Sequence, residues 1–303
     1  MSAHGGGGGA ASRVVGRDAL ARLAHARGVA CRDVVRLGAL AAAVACERAY
    51  YRDAVLAIFR TEPDRHRAFV AADAALRLVV FEVDEGEGVL AAAPPDGLAV
   101  TAHAAGEGWT IATEALTAHL FVAGGVTDLY LAVRGRPADD FAFRVHLSVA
   151  LHRALLLLER LYLHAAGVRF GDVCSVFPGD KGTGKSTLSL ALGAAGATVL
   201  ADDHMVLRRD GDGFVASGCD GEARLLADAE RHLFGGPVDA PIVELGGVRK
   251  REIAVARYFA SEPYREHRLD RLVFPRVGTA FRIARLSKRE ALVALIGATR
   301  TSH

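Results

Sequence analysis

Phe177-Pro178-Gly179-Asp180-Lys181-Gly182-Thr183-Gly184-Lys185-Ser186-Thr187 is the stretch on which the reading of the chain turns. The apolar run Val173 to Phe177 before it reads as a buried strand, and Leu188-Ser189-Leu190-Ala191-Leu192 after it starts a helix. Gly179 through Ser186 fit G-x-x-x-x-G-K-[ST] in full, in the strand–loop–helix setting that the motif requires. Glycines let the backbone turn tightly and bring successive N–H groups to a phosphate chain, and the helix N-terminus adds its unpaired N–H groups and positive dipole end. In this pattern Lys185 reaches the β- and γ-phosphates and the Ser186 hydroxyl is a ligand of Mg²⁺. Asp180, Thr183 and Thr187 complete the loop, and Lys181 places a second cation in it. A nucleoside triphosphate site is expected at Gly179 to Thr187.

Working outward, two strands are expected before the loop. Tyr162 to Val168 and Asp172 to Phe177 are joined by the turn Arg169-Phe170-Gly171, a tight hairpin feeding the loop. After it, a helix runs to about Gly193, and Ala194 to Ala197 end it. Thr198-Val199-Leu200-Ala201 is then a buried strand closing on the paired carboxylates Asp202-Asp203, ahead of His204. Carboxylates at such a strand end suit Mg²⁺ coordination and the acceptance of a hydroxyl proton. Met205 to Arg208 and Gly213 to Ala216 read as a hairpin around Asp210-Gly211-Asp212-Gly213.

Three ordered elements, His164-Ala165-Ala166, Pro178 to Thr187 and Leu200-Ala201-Asp202-Asp203-His204, together resemble the catalytic domain of HPr kinase/phosphorylase. The resemblance covers roughly His164 to Val206. It implies an α/β (α+β) fold, a P-loop kinase domain of the HPr kinase/phosphoenolpyruvate carboxykinase-like type, and transfer of the ATP γ-phosphoryl group to a serine hydroxyl of a protein with a divalent metal. On that resemblance Asp202 and Asp203 supply the base and a metal contact, His164 orients or modulates them, and Lys185 stabilises the transferring group. Ser186, Asp203 and, in roughly the family's position for a further metal-binding glutamate, Glu222 are the implied Mg²⁺ ligands. Relatives of this type form hexamers, so a homo-oligomer is implied.

The chain also departs from the family. A Glu-x-Arg-Gly-Leu-Gly segment is missing, and Glu222 stands instead in Asp220-Gly221-Glu222-Ala223-Arg224. The family's late arginine motif is missing too. Gly246-Gly247-Val248-Arg249-Lys250-Arg251-Glu252 offers a glycine-led basic turn in its place, which makes Arg249, Lys250 and Arg251 phosphate-contact candidates. The acceptor is therefore left open among a different protein, a peptide or a small hydroxyl compound.

The flanks are less informative. Met1 to Ser12 is a glycine and alanine run without the charged and apolar regions of a signal peptide, and residues 1–16 read as a disordered tail. Arg17 to about Arg60 favours helix, including the alanine-rich Leu37 to Cys46, with Gly28 and Gly38 as interruptions. Leu76 to Val83, Gly88 to Ala92, Leu98 to Ala102, Trp109 to Thr113 and Asp128 to Val133 read as a small antiparallel sheet. Together they make residues 17–137 a helical, then β-rich region of unknown role. In it the isolated His103, His119 and Trp109 read as structural. Arg136 to Asp140 starts a long, mostly buried helix over Phe141 to Leu161, so residues 138–303 form the P-loop domain. Leu269 to Pro275 is a last strand, and Ser287 with Glu290 is a capping box for a terminal helix.

Composition sets the outer bounds. Of 303 residues 51% are hydrophobic and 24% charged, the balance of a globular protein. Lys plus Arg (37) nearly cancel Asp plus Glu (35), which leaves no global basic field for nucleic acid. The apolar segments are too short or too charged at their flanks to span a bilayer. Cys31, Cys46, Cys174 and Cys219 lack metal-ligand spacing and read as thiols of a reducing cytoplasm. The leading expectation is an ATP- and Mg²⁺-dependent kinase acting on a protein or peptide hydroxyl. Its competitors are a P-loop ATPase or nucleotide-responsive binding protein, and a phosphoenolpyruvate-carboxykinase-like enzyme.

Overall fold

The computed structural model describes residues 15–29, 31–59, 75–93, 97–103, 107–123, 126–135, 137, 140–245 and 247–300. The glycine-rich stretch up to residue 14 and most of the expected helix start at Arg136 to Asp140 fall outside them. The chain is mixed α/β and divides into two compact units. The first comprises Met1–Arg32, Val44–Arg52 and Leu76–Ala150, and the second Asp33–Ala43, Asp53–Ala75 and Leu151–His303.

The elements begin with α1 (Arg17–Ala26), β1 (Cys31–Leu37), β2 (Leu40–Cys46) and α2 (Ala49–Phe59). The expectation of helix over Leu37 to Cys46 is overturned. Gly38 takes a left-handed φ of 64°, the chain reverses, and the alanine-rich run becomes strand β2. Alanine's helix preference is worth well under 1 kcal/mol per residue. Burial of Leu40, Ala42, Ala43, Val44 and Cys46 within a sheet outweighs it.

β3 (Leu76–Val83), β4 (Ala99–Ala102), β5 (Gly108–Ala112), β6 (Leu116–Ala123) and β7 (Val126–Arg134) follow. They belong to a seven-stranded sheet of order β1-β2-β3-β7-β6-β5-β4. The sheet is mixed rather than purely antiparallel. β4 to β7 form a meander, and its last strand lies parallel to β3, Leu76 opposite Thr127 through to Val83 opposite Arg134. Gly88 to Ala92 forms no strand, and the sequence reading missed β6, whose first six residues are all buried. In the first unit Leu20 and Ala24 of α1 pack with Phe81, Val83, Phe121 and Tyr130. His119 contacts the Val89 carbonyl at 2.8 Å, and burial pushes its pKa down to about 4. It is a satisfied core histidine.

α3 (Asp140–Leu157) ends one turn earlier than expected and is followed directly by β8 (Arg160–Phe170). β8 and β9 (Val173–Pro178) make the expected hairpin, with Gly171 left-handed at φ 57°. Then come α4 (Lys185–Ala194), β10 (Thr198–Ala201), β11 (His204–Asp210), β12 (Gly213–Gly218), β13 (Glu222–Leu225), α5 (Ala227–Phe234), β14 (Ile242–Leu245), β15 (Val248–Ala254), β16 (His267–Leu272) and α6 (Lys288–Arg300). The expected basic turn is mostly strand β15, and Gly247 before it is left-handed.

In the second unit the strand order is β10-β8-β11-β12-β16-β9, and β9 pairs back onto β8, so five strands close a ring with β10 attached. Leu163, Ala165, Cys174, Val176, Met205 and Leu207 fill one core. Ala166, Val168 and Phe177 pack instead with Leu188 and Leu192 of α4. β8 therefore turns its even-numbered residues, His164 among them, to the α4 side. β13-β15-β14 form a smaller antiparallel sheet. Ser287 and Glu290 bond reciprocally at the start of α6, as the capping-box pattern requires. Among the described residues no helix is long and apolar enough to cross a membrane.

Candidate functional site

β9 delivers the chain into the loop and α4 carries it away. Between them Gly182 and Gly184 adopt φ values of 86° and 87°, a region in which a side chain strains the backbone. A Cβ on either glycine would meet nothing within 4 Å, so backbone conformation, not crowding, demands glycine here. The space beside both is open. Gly184 is the N-cap of α4, and no side chain caps that helix. Its first N–H groups thus face the loop's concavity with the positive end of the helix dipole behind them. An anionic phosphate chain fits this cradle.

The Asp180 carbonyl fastens the loop. It accepts from Thr183 Oγ1 at 2.9 Å, from the Thr183 N–H at 3.4 Å and from Lys185 Nζ at 2.9 Å. Lys185 is only 5% exposed. Burial pushes its pKa down to about 8, against the opposing pull of Asp202 and Asp180 and with the help of Lys250. The amine is held over the loop as a desolvated cation, short of hydration and within the field of Asp202. A phosphate would relieve that shortage.

The Asp202-Asp203 pair sits at a bend between β10 and β11, both running antiparallel to β8. Ala201 lies opposite Gly167 and His204 opposite His164, while the Ala165 N–H donates to the Asp203 carbonyl at 2.9 Å. That register brings His164 Nε2 to 2.6 Å from Asp203 Oδ1. The two carboxylates differ in surroundings. Asp202 is 3% exposed, and its Oδ2 accepts from the Arg224 N–H at 3.2 Å. Asp203 is more open, its side chain 18% exposed.

His204 and Asp220 join this site without having been given a role on sequence grounds. Asp220 Oδ1 accepts from the Asp202 N–H at 3.4 Å, and its Oδ2 lies 3.6 Å from His204 Nδ1. The His204 ring stacks on Tyr162 at 5.2 Å, and Tyr162 on His152 at 4.8 Å. No spacing rule links residue 220 to residue 202. Strand β12 makes the connection by returning the chain along β11, with Gly218 opposite Met205.

The basic triplet separates by strand alternation. Arg251 Nε lies 2.6 Å from Glu230, and its Nη1 donates to the Ala240 carbonyl at 2.7 Å, so it is occupied structurally. Arg249 is exposed. Lys250, on the opposite face of β15, is the one of the three whose charge reaches Lys185. Glu222 is exposed at the start of β13, and its charge acts on Tyr264. Among the described residues no group of three or more His, Cys, Asp or Glu side chains is spaced to hold a metal ion.

The second unit is thus a mixed α/β body with a glycine-turned strand–loop–helix cradle and a histidine of β8 paired with a carboxylate at the bend before β11. The sequence matches no protein-family model and no curated protein. Among solved structures it shows a loose likeness to the Hpr(Ser) kinase/phosphatase from Coxiella burnetii, at 19% identity and a TM-score of 0.27. That likeness covers 37% of this chain and 56% of the other, and it assigns neither fold nor activity.

Proposed function

We propose that this chain is an HPr kinase-like phosphotransferase that passes the γ-phosphoryl group of ATP to a hydroxyl, a serine of a protein or peptide, with residues 138–303 as its P-loop domain. One observation carries the reading. A glycine-rich loop with a desolvated lysine follows β9, and a carboxylate at the bend before β11 is paired at 2.6 Å to a histidine of β8, the strand that connects β9 and β11. A nucleotide sensor needs the loop alone, whereas a hydroxyl acceptor also needs a base.

In this reading Gly179 to Thr187 wrap the phosphates, and Lys185 neutralises charge on the transferring group. Lys250 adds a second cation from β15. The more open Asp203 receives the acceptor's proton, and His164 Nε2 holds its other oxygen and fixes its direction. Asp202, locked by the Arg224 N–H and near Lys185, faces the phosphate side. Mg²⁺, when bound, would supply charge neutralisation across the phosphates. It is ordinarily held by one or two protein groups plus phosphate and water oxygens, a demand that the Ser186 hydroxyl and one carboxylate of the Asp202-Asp203 pair meet. Homo-oligomeric assembly belongs to the same proposal.

The test is incubation of the full chain with Mg²⁺, γ-labelled ATP and the proteins and peptides encoded near it. Labelled phosphoserine on one of them is the expected result. Label released only as inorganic phosphate, whatever acceptor is offered, would make the chain an ATPase and overturn the kinase reading.

A further inference from the structure

A second concentration of cationic groups lies at the opposite end of β9 from the phosphate loop. A cavity of about 310 Å³ is lined there by Arg169, Asp172, Cys174, Arg265, His267 and Arg268. β8 contributes Arg169, the hairpin turn Asp172, and β16 with the segment before it the other basic residues. From Val173 to Pro178, where the loop begins, β9 advances five residues, about 16 Å at roughly 3.3 Å per residue. The cavity is therefore distinct from the nucleotide site.

Its polar groups are held in place but incompletely satisfied. Arg169 Nη1 donates to the Gly171 carbonyl at 2.7 Å, and Nη2 lies 3.5 Å from Glu262. Arg265 and His267 converge on the same glutamate at 3.2 and 3.3 Å. Arg169 Nε is buried and makes no hydrogen bond. One carboxylate thus serves three cationic or ionisable side chains. Burial pushes the pKa of His267 down, Glu262 pulls it up, and Arg169 and Arg265 push it down. Three guanidinium groups stand against Asp172, Glu262 and Asp270, whose Oδ2 accepts from the Cys174 N–H at 2.9 Å, so the charges balance with His267 neutral and leave one net positive charge with it protonated. A buried donor without an acceptor costs about 1–3 kcal/mol, a cost that an anionic acceptor removes. The volume is at the small end for ligand cavities, with room for an oxyanion and a few further heavy atoms.

We propose that this cavity binds a small doubly charged oxyanion, of the phosphate-monoester or dicarboxylate type, independently of the nucleotide loop. Arg169 and His267 form its floor, with Arg265 and Arg268 at its mouth.

The experiment titrates inorganic phosphate and, separately, malonate into the Lys185→Met chain by calorimetry, a background that removes the loop's cation, and the arginine variants below assign the remaining binding to the cavity. Saturable one-to-one binding of either anion is expected. Arg169→Gln and Arg265→Glu, each made in that background, are expected to weaken it by about tenfold or more, the effect of one lost charge-assisted bond. Arg169 also braces the hairpin turn, so Arg265, 69% exposed, supplies the variant that leaves the fold untouched. Response to phosphate alone or to malonate alone identifies the oxyanion class. Absence of saturable binding of both, or affinity unchanged in both variants, overturns the proposal.

Discussion

Replacing Lys185 by methionine separates the stability of the loop from its function. Burial lowers the amine's pKa from 10.5 to about 8. At about 1.36 kcal/mol per pH unit, that fall means folding disfavours the charged amine by about 3 kcal/mol at pH 7. Methionine keeps the unbranched stem and removes the charge. The lost Nζ bond leaves the Asp180 carbonyl still accepting from Thr183, so no acceptor is orphaned. The Lys185→Met chain is therefore expected to be more stable than the parent by about 1–3 kcal/mol at pH 7. The sign of the pH dependence follows from a folded pKa below the unfolded one. The penalty is fully present below about pH 8, shrinks as the folded amine deprotonates, and vanishes above 10.5. By about pH 9.5 roughly 2 kcal/mol of the advantage should be gone. Urea unfolding read by hydrogen exchange of β8, β9 and β10 measures this unit, whereas Trp109 fluorescence would report the other. A methionine variant no more stable than the parent at pH 7, or a difference constant from pH 7 to about 9.5, would refute the reasoning.

Other perturbations have equally definite outcomes. A Cβ at Gly218 would fall on the Leu200 carbonyl oxygen and 2.9 Å from Ala201 Cβ, just ahead of Asp202. Gly218→Ala should thus cost about 3 kcal/mol or more in thermal or urea unfolding, together with the transfer activity. His164→Gln keeps a hydrogen-bond donor near Asp203 but removes the imidazole. Transfer should fall by about 10²-fold, with a reshaped pH–rate profile and unchanged ATP affinity in equilibrium binding. Residues 276–290 are all exposed, and 276–287 lack regular structure. Brief trypsin treatment should cut first after Arg276, Arg282 or Arg285, and mass spectrometry should find β8 to β12 intact.

What could be read in advance was whatever local chemistry dictates. The phosphate loop needs glycines at particular backbone angles, and Gly182 and Gly184 take them. The turn at Gly171, the hairpin over Asp210 to Gly213 and the capping box at Ser287 are local in the same sense. What stayed hidden depends on distant partners. Leu40 to Cys46 is helical by propensity, and burial in a sheet overrides that preference. β6 does alternate apolar and polar residues over Leu116-Thr117-Ala118-His119-Leu120, but both of its faces are buried, and Thr117 and His119 are accommodated only by distant partners, the Ala91 N–H and the Val89 carbonyl. In the site, His164, Asp202 and Asp203 were named from sequence. Asp220 enters only through the return of β12 along β11. The difference between Lys250, facing the loop, and Arg251, held by Glu230, appears only when Val248 to Ala254 becomes a strand rather than a turn.

The central claim is that the Lys185 loop and the Asp203–His164 pair form one phosphoryl-transfer centre. Its most direct test is single-turnover transfer from γ-labelled ATP to the acceptor, comparing the parent chain with Asp203→Asn while ATP binding is measured on both. Asparagine preserves the size of the side chain and removes its basicity. The account predicts loss of transfer by a factor of about 10²–10⁴ with ATP affinity retained. Transfer by Asp203→Asn at the parental rate would contradict it.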